Sequence, residues 1–408
     1  MKKMKKILRL IPIMLVLVMT VSLAACKKDT GNTDTDQKTT VTDNDEKDTK
    51  EPDTTDTKKP DAAKPAETST DKEIPDEKLN TTLYVGCSFR MLTNPYMVTI
   101  DEGCRAFCEY LDSIGQKYVY ELMTNEGSSD TQINQISAFL AKANGNAILF
   151  CDPNEAAVCE TIAEMVTDAG AYMCTTWNKP DDVDVWEYDG WVAHHSPDDI
   201  DMGYQIAIKM FEKFDTPFEG KVVAIQGLLG NTTAVNRRIG LQKALDEHPG
   251  VELVADETAN WSADTALSVM ETLLASHDDI DGVWCANDNM AIGVVQALEA
   301  KGLAGKVKVV GINAIESALD HIKNGKMTAT ADCQGWQQGG YTLAICYDAW
   351  LGNIDVPALD HGYRLFGTKC TIVTEENVEE FYEEFYQNPV ILDFENYWDA
   401  FRYGDYPV

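Results

Sequence analysis

The stretch GVWCANDNMAIGVVQALEAKGLAGKVKVVGIN, residues 282–313, decides the fold. It opens on a short apolar run over 282–286. A helical pattern follows over 289–301, stops at Gly302, and gives way to a second β-branched run over 307–312. Strand, helix and strand with short connections form one parallel crossover unit, because a parallel pair needs a helix-length return. The same alternation extends in both directions. Apolar runs at 82–88, 118–123, 147–151, 172–176, 191–194, 221–226, 251–256 and 327–331 alternate with helical patterns at 95–113, 130–143, 155–169, 198–213, 232–247, 263–276, 315–324 and 336–351. Gly115, Gly145, Gly170, Gly302 and Gly325 stand where helix-ending glycines belong. The expected fold class is α/β, with ten strands divided between two doubly wound parallel-sheet lobes joined by a hinge. In such sheets ligands bind outside the carboxyl ends of the strands, so the residues that follow each strand are the candidates for a site.

The chain has 408 residues and a formal net charge of −33, unevenly spread. Residues 1–26 carry five cations and no acid, 27–80 carry 10 Lys and 16 acids, and 81–408 carry 19 cations and 51 acids. A body this acidic repels a phosphate backbone, which excludes nucleic acid as a partner. It also stands off from anionic lipid unless it is tethered. Lys2 to Arg9 is a basic segment and 11–21 a short apolar one, as in an export signal. The segment ends in Leu23-Ala24-Ala25-Cys26, which resembles the lipobox of bacterial lipoproteins. That resemblance implies a lipid on Cys26 and an extracytoplasmic body held at the cell membrane. Residues 27–80 are mainly Thr, Asp, Lys and Pro and cannot repay ordering entropy, so a disordered linker is expected there. As a flexible coil it would reach about 40 Å. The ten cysteines beyond Cys26 lie in apolar stretches without a CxxC pair, which marks them as small core hydrophobes, and their spacing implies no pairing.

Four motifs carry a family likeness: Trp284-Cys285-Ala286-Asn287-Asp288-Asn289-Met290-Ala291-Ile292-Gly293, Val309-Val310-Gly311-Ile312-Asn313, Asn94-Pro95-Tyr96 and Arg237-Arg238-Ile239-Gly240. In this order and spacing the chain, over about 82–374, resembles the type I extracytoplasmic solute-binding proteins of ABC importers, in their ribose/galactose-binding branch. The resemblance implies two lobes that close on a small polyol, a monosaccharide foremost, and an ABC permease that receives it. The same fold serves the effector domain of some transcription repressors, but an export signal stands here in place of a helix-turn-helix. Two further readings stay open: a receptor subunit for a membrane sensor or chemoreceptor, and a binder of a nucleoside or a furanose signal.

A polyol offers hydroxyls at its edge and C–H groups on its faces, so its site needs planar polar side chains and aromatic rings. The resemblance implies Asn94 and Tyr96 after the first strand, Asp152 after the third, and Trp177 and Asn178 after the fourth. Many relatives have an Asp-Arg pair at 177–178, and this chain does not. Asp152 has a rival role as a helix cap before Pro153. In the second lobe Arg237 matches the ligand arginine, whose fork can bond two adjacent hydroxyls. Trp261 stands where the family stacks an aromatic on the sugar. Asn287 is the expected ligand amide, with Asp288 as the cap of the next helix. Asn313 stands where relatives often have Asp. After the tenth strand Cys333 aligns with the family's ligand Gln, which leaves Asp332 or Gln334 to take that contact.

No P-loop, GxSxG, HExxH or GxGxxG after a strand occurs, so no enzyme, no cofactor and no metal is expected. His194 and His195 are adjacent on a strand and point to opposite faces, which argues against one shared metal. Asp182-Val183-Asp184 starts like a calcium loop, but Trp186 and Glu187 break the pattern. The expected organisation is a first lobe from 81–195 plus 331–360, a second from 196–330 plus 361–374, and an extension over 375–408. In that extension Phe381, Tyr382, Phe385 and Tyr386 line one face of an amphipathic helix, expected to dock on a lobe of the same chain.

Overall fold

The computed structural model describes residues 74–388 and 390–406. The expected export signal, Cys26 and the linker up to residue 73 lie outside the described residues. In chain order the strands are β1 (Leu83–Phe89), β2 (Tyr118–Thr124), β3 (Ala147–Cys151), β4 (Tyr172–Thr176), β5 (Trp191–Pro197), β6 (Gly220–Gln226), β7 (Val251–Thr258), β8 (Gly282–Cys285), β9 (Lys308–Val310), β10 (Ala329–Asp332), β11 (Leu365–Thr368), β12 (Thr371–Thr374) and β13 (Arg402–Asp405). They form two sheets, ordered β13-β11-β5-β4-β3-β1-β2 and β12-β10-β9-β8-β6-β7. Neighbours run parallel except the edge pairs β11–β13 and β10–β12. The fold class is therefore two doubly wound α/β lobes.

The central strands β3 and β8 are buried at every residue, as expected of parallel strands covered by helices on both faces. The edge strands β2 and β7 are only partly buried. Helices start where a side chain can take up orphan N–H groups. Ser128 accepts from Thr131, Asp198 from Asp201 and Ser262 from Thr265. The five expected helix-ending glycines all have positive φ. The ten described cysteines are unbridged, and all but Cys370 are buried.

Several expectations need correction. The partition of 361–374 into the second lobe fails, because Leu365–Thr368 joins the first sheet beside β5 and only Thr371–Thr374 joins the second. One extended segment thus feeds both sheets. The strands β11 to β13 escaped the sequence reading because they stand outside the regular strand–helix alternation, with only two residues between β11 and β12. Part of the expected linker is ordered: Asp76–Asn80 is a helix. It is held to the first lobe by Lys78 Nζ, which donates to the Trp350 carbonyl, and by Lys117 N–H, which donates to the Leu79 carbonyl. The extension packs on both lobes rather than on one. Its helix Val378–Tyr382 lies against Glu316–Lys323 of the second lobe. Its later Phe394 packs on Phe107 and Tyr341 of the first.

The chain passes between lobes after β5, after β10, between β11 and β12, and again in the extension. Each lobe is held at its hinge side by a close helix crossing. In the first, Pro95–Ser113 meets Gly335–Leu351, and a Cβ on Gly103 or Gly339 would overlap the carbonyl oxygen of Trp336 or Ile100. In the second, Asp199–Phe211 meets Thr232–Glu247 through Gly203 and Gly240, where a Cβ would overlap the Arg237 or Ile200 carbonyl. This explains Gly240 in the arginine motif. Gly339→Ala is expected to lower unfolding free energy by at least about 2 kcal/mol in urea titration, because backbone must move to admit the methyl. An unchanged midpoint would mean that the two helices can separate freely.

Candidate functional site

A cavity opens between the carboxyl ends of the two sheets. The empty space between its lining atoms, including the part open to solvent, is about 570 Å³. Nine residues anticipated from the sequence line it: Asn94, Tyr96, Asp152, Trp177, Asn178, Arg237, Trp261, Asn287 and Asn313. They come from both lobes, in the segments that follow seven strands. Asp332 and Gln334 do not line it. Asp332 accepts the Gln334 N–H at 2.9 Å, and Gln334 sits in the left-handed region at φ 58°, so both serve the turn into the hinge helix. Cys333 between them is buried, and its carbonyl accepts from Tyr96 Oη at 3.1 Å and from Gln338 Nε2 at 2.7 Å.

On the first-lobe side, Asn94 caps the helix Pro95–Ser113, accepting from Tyr96 N–H at 3.2 Å. The Tyr96 and Trp177 rings pack at 5.6 Å and wall the cavity. Asp152 is not a helix cap, since the following helix starts only at Cys159. Its carboxylate accepts from Asn178 Nδ2 at 2.9 Å. Burial pushes the Asp152 carboxyl up to about 7, with the Asn178 bond and the Arg90 charge opposing the shift. Asn178 Oδ1 and Trp177 Nε1 are buried without a partner among the described residues. Unpaired buried polar atoms are costly, and in a cavity wall they are the atoms a ligand hydroxyl can satisfy.

On the second-lobe side, Arg237 forms a buried ion pair with Asp199, Nε to Oδ1 at 2.8 Å, and donates from Nη1 to the Ala286 carbonyl at 2.8 Å. The expectation of a free two-pronged fork is therefore narrowed: Nη2 alone lacks an acceptor among the described residues. The Trp261 ring lies 5.9 Å from the Arg237 guanidinium and covers Gly227, where a Cβ would overlap it. The expected assignment of Asp288 as helix cap is overturned. Asn287 is the cap, its Oδ1 accepting from Met290 N–H at 3.0 Å. Asp288 instead accepts from Ile315 N–H at 3.1 Å and from Thr330 Oγ1 at 2.8 Å. Gly311 leaves it room, since a Cβ there would overlap Oδ1. The cap uses the oxygen of Asn287 and leaves its Nδ2 as a donor.

Three lining residues hold left-handed φ values without being glycine: Trp177 at 60°, Trp261 at 64° and Asn313 at 124°. Each such residue costs on the order of 1–3 kcal/mol and persists only where its surroundings over-determine it. The strain re-aims side chains that would otherwise continue the strand.

Sequence reasoning missed Arg90, Met91, Met97, Asn154, Asn231 and Thr233 in the lining. Asn231 is the most consequential. It occupies a helix-cap position yet makes no cap bond. Its Nδ2 donates across the cleft to the Asn154 carbonyl at 2.9 Å, and its Oδ1 accepts from Trp261 Nε1 at 2.9 Å. Thr232 Oγ1 donates across the cleft to the Lys179 carbonyl at 3.3 Å. The lobes thus touch at the mouth. Arg90 donates from Nη1 to Asn154 Oδ1 at 2.9 Å. Only a search for cap-position residues released from capping could have found Asn231 from sequence.

The two adjacent histidines are structural. His194 Nδ1 meets Thr175 Oγ1 at 2.8 Å and His195 Nε2 meets Thr342 Oγ1 at 2.9 Å, on opposite faces of β5. Burial lowers both pKa values, His195 to about 3, so both rings are neutral. Among the described residues, no cluster of His, Cys, Asp and Glu could hold a metal, and no helix is long and apolar enough to cross a membrane.

The family described as periplasmic binding protein domain matches residues 85–354. A xylitol-binding protein of Mycolicibacterium smegmatis is 35% identical over 161 residues, 39% of this chain and 45% of that protein, so the chain spans less than half of that relative. The D-allose-binding periplasmic protein of Escherichia coli is 28% identical over 269 residues, 66% of this chain and 85% of that protein. Among solved structures, a twin-arginine translocation pathway signal protein from Burkholderia phytofirmans superposes with a TM-score of 0.75 at 35% identity, covering 79% of this chain and 98% of that one.

The raised Asp152 pKa has a testable sign. Between about pH 4 and 7 the folded chain keeps a proton that the unfolded chain has lost, so stability falls as pH rises through that window, by up to ~1.4 kcal/mol per unit. Asp152→Asn keeps the Oδ1 acceptor and removes the titration. Its unfolding free energy relative to wild type should rise by about 2 kcal/mol between pH 5 and pH 8 in urea titrations. A pH-independent difference would mean that Asp152 is ionised throughout.

Proposed function

The chain belongs to the periplasmic binding protein family, and on that premise we propose that it captures a small neutral polyol, a monosaccharide or sugar alcohol, between its lobes. The observation that carries this reading is the cavity lined by six asparagines and walled by Tyr96, Trp177 and Trp261. Amides give and accept hydrogen bonds without charge, which suits hydroxyls, and the rings suit C–H faces. The one cation deep in the second-lobe wall, Arg237, is already neutralised by Asp199, which disfavours an anionic ligand. Relatives that bind xylitol and D-allose support the same ligand class.

In this proposal ligand binding selects the form in which both lobes touch the ligand, and that form is handed to an ABC permease. The lipobox-like Leu23-Ala24-Ala25-Cys26 supports a lipid-anchored, extracytoplasmic protein. The ligand roles of Asn94, Tyr96, Asp152, Trp177, Asn178, Arg237, Trp261, Asn287 and Asn313 are part of the proposal.

A thermal-shift panel of pentoses, hexoses, sugar alcohols and nucleosides tests the class. A ligand at 100 times its Kd adds about 2.7 kcal/mol of stability. A panel in which only nucleosides shift the midpoint would overturn the sugar reading. Asn287→Asp preserves the cap acceptor but replaces the Nδ2 donor by an oxygen. It should weaken a panel hit by roughly tenfold or more with little change in ligand-free stability. Arg237→Ala is a poor test, since it strands the buried Asp199 charge at a cost of about 3–5 kcal/mol.

A further inference from the structure

The C-terminal strap, residues 375–406, touches the ligand site at one point. On the second lobe, Tyr382 Oη donates to Glu316 Oε1 at 2.9 Å, and the Lys323 ammonium lies 3.2 Å over the Tyr382 ring. Next, Tyr386 Oη donates to the Ala314 carbonyl at 2.8 Å. From residue 390 the strap belongs to the first lobe, where Tyr397 Oη donates to Asp348 Oδ2 at 2.6 Å and β13 pairs with β11.

Ala314 lies in the turn after β9, beside the cavity-lining Asn313. Both residues hold positive φ, 124° at Asn313 and 49° at Ala314. Such a turn does not hold itself, and its backbone is clamped at several places. Asn313 N–H donates to the Ala331 carbonyl at 2.7 Å, Ala314 N–H to Thr330 Oγ1 at 3.1 Å, and Ile315 N–H to Asp288 Oδ2 at 3.1 Å. These clamps belong to the second lobe itself. A further one, the Tyr386 hydroxyl on the Ala314 carbonyl, comes from the strap. Burial raises the Tyr386 pKa well above the ordinary phenol range, so the hydroxyl keeps its proton and remains a donor. The ring is held in turn by Trp336, at 5.3 Å edge to face, at the start of the hinge helix.

We propose that Tyr386 is a positioning residue of the ligand site, clamping the 313–315 turn that carries the cavity-lining Asn313, whose Nδ2 donates to Cys333 Sγ at 3.7 Å. The proposal makes the strap part of the binding machinery rather than a terminal ornament. It rests on the reading of Asn313 as a ligand contact.

Tyr386→Phe keeps the ring against Trp336 and removes only the donor. In the full ligand-free chain, amide exchange at Ala314 and Ile315 should quicken about fivefold to tenfold while exchange in β8 and β9 stays unchanged. Xylitol, D-allose and D-ribose serve as titrants in calorimetry. For any that binds, Tyr386→Phe should raise Kd about threefold to tenfold, and should add nothing in an Asn313→Ala background. Unchanged exchange at Ala314 and Ile315 overturns the proposal, as do additive losses in the double variant. If Asn313→Ala alone binds like wild type, the ligand role of Asn313 fails separately, and the exchange result still decides whether Tyr386 holds the turn.

Discussion

A guanidinium in the wall of a cleft needs a counter-charge, and much of the second lobe is arranged to provide one. Asp199 follows the cap residue of the first helix after β5, at the point where the chain enters that lobe. Arg237 meets it from the neighbouring helix, and the crossing is close because Gly203 and Gly240 lie at the contact. With Nε held by Asp199 and Nη1 by the end of β8, the guanidinium cannot swing, and Nη2 is the part presented to the cavity. Asn287 follows Ala286 directly, and Trp261 lies within cation–π reach. One buried ion pair therefore fixes a hinge crossing, a helix packing angle and half of a binding site. Such a pair contributes little net stability against an apolar replacement, so its retention is best explained by the orientation it imposes.

Closure of the mouth rests on weaker forces. The contacts from Asn231 to Asn154 and from Thr232 to Lys179 are neutral hydrogen bonds, each worth about 0.5–1.5 kcal/mol net. Parting the lobes in the proposed motion would return these groups to water, where their hydrogen bonds are replaced at little cost. A molecule that bonds both walls can tip such a balance. Asn231 also accepts from the Trp261 indole, so the wall that faces a ligand and the bond that spans the mouth share one amide.

The regular part of the fold was legible because parallel strands covered on both faces must be continuously apolar, and their helices must end on glycines. The stretch over 282–313 displays both. Convergence of strand ends in such sheets directed attention to the residues after each strand, and the family resemblance then singled out Asn94, Trp177, Trp261, Asn287 and Asn313, which the structure brings into one cavity lining. What stayed hidden depends on geometry that no periodicity encodes. Asn231 looks like a cap and is not one, while Asn287 takes the cap expected of Asp288, because Gly311 leaves room for the Asp288 carboxylate to reach Thr330. The strands β11, β12 and β13 fall outside the strand–helix alternation that marked the others. The polar contact expected at Asp332 or Gln334 fails because that turn is spent on starting the hinge helix.

Both ends of the described chain rest on the first lobe. The helix at 76–80 is fixed to Trp350 and Lys117, and the last strand closes the outer edge of the first sheet, with Tyr406 reaching His194. A pull applied at residue 74 therefore passes into one lobe alone. Under the proposed closing motion, such a pull would load the first lobe and leave the second lobe free of it.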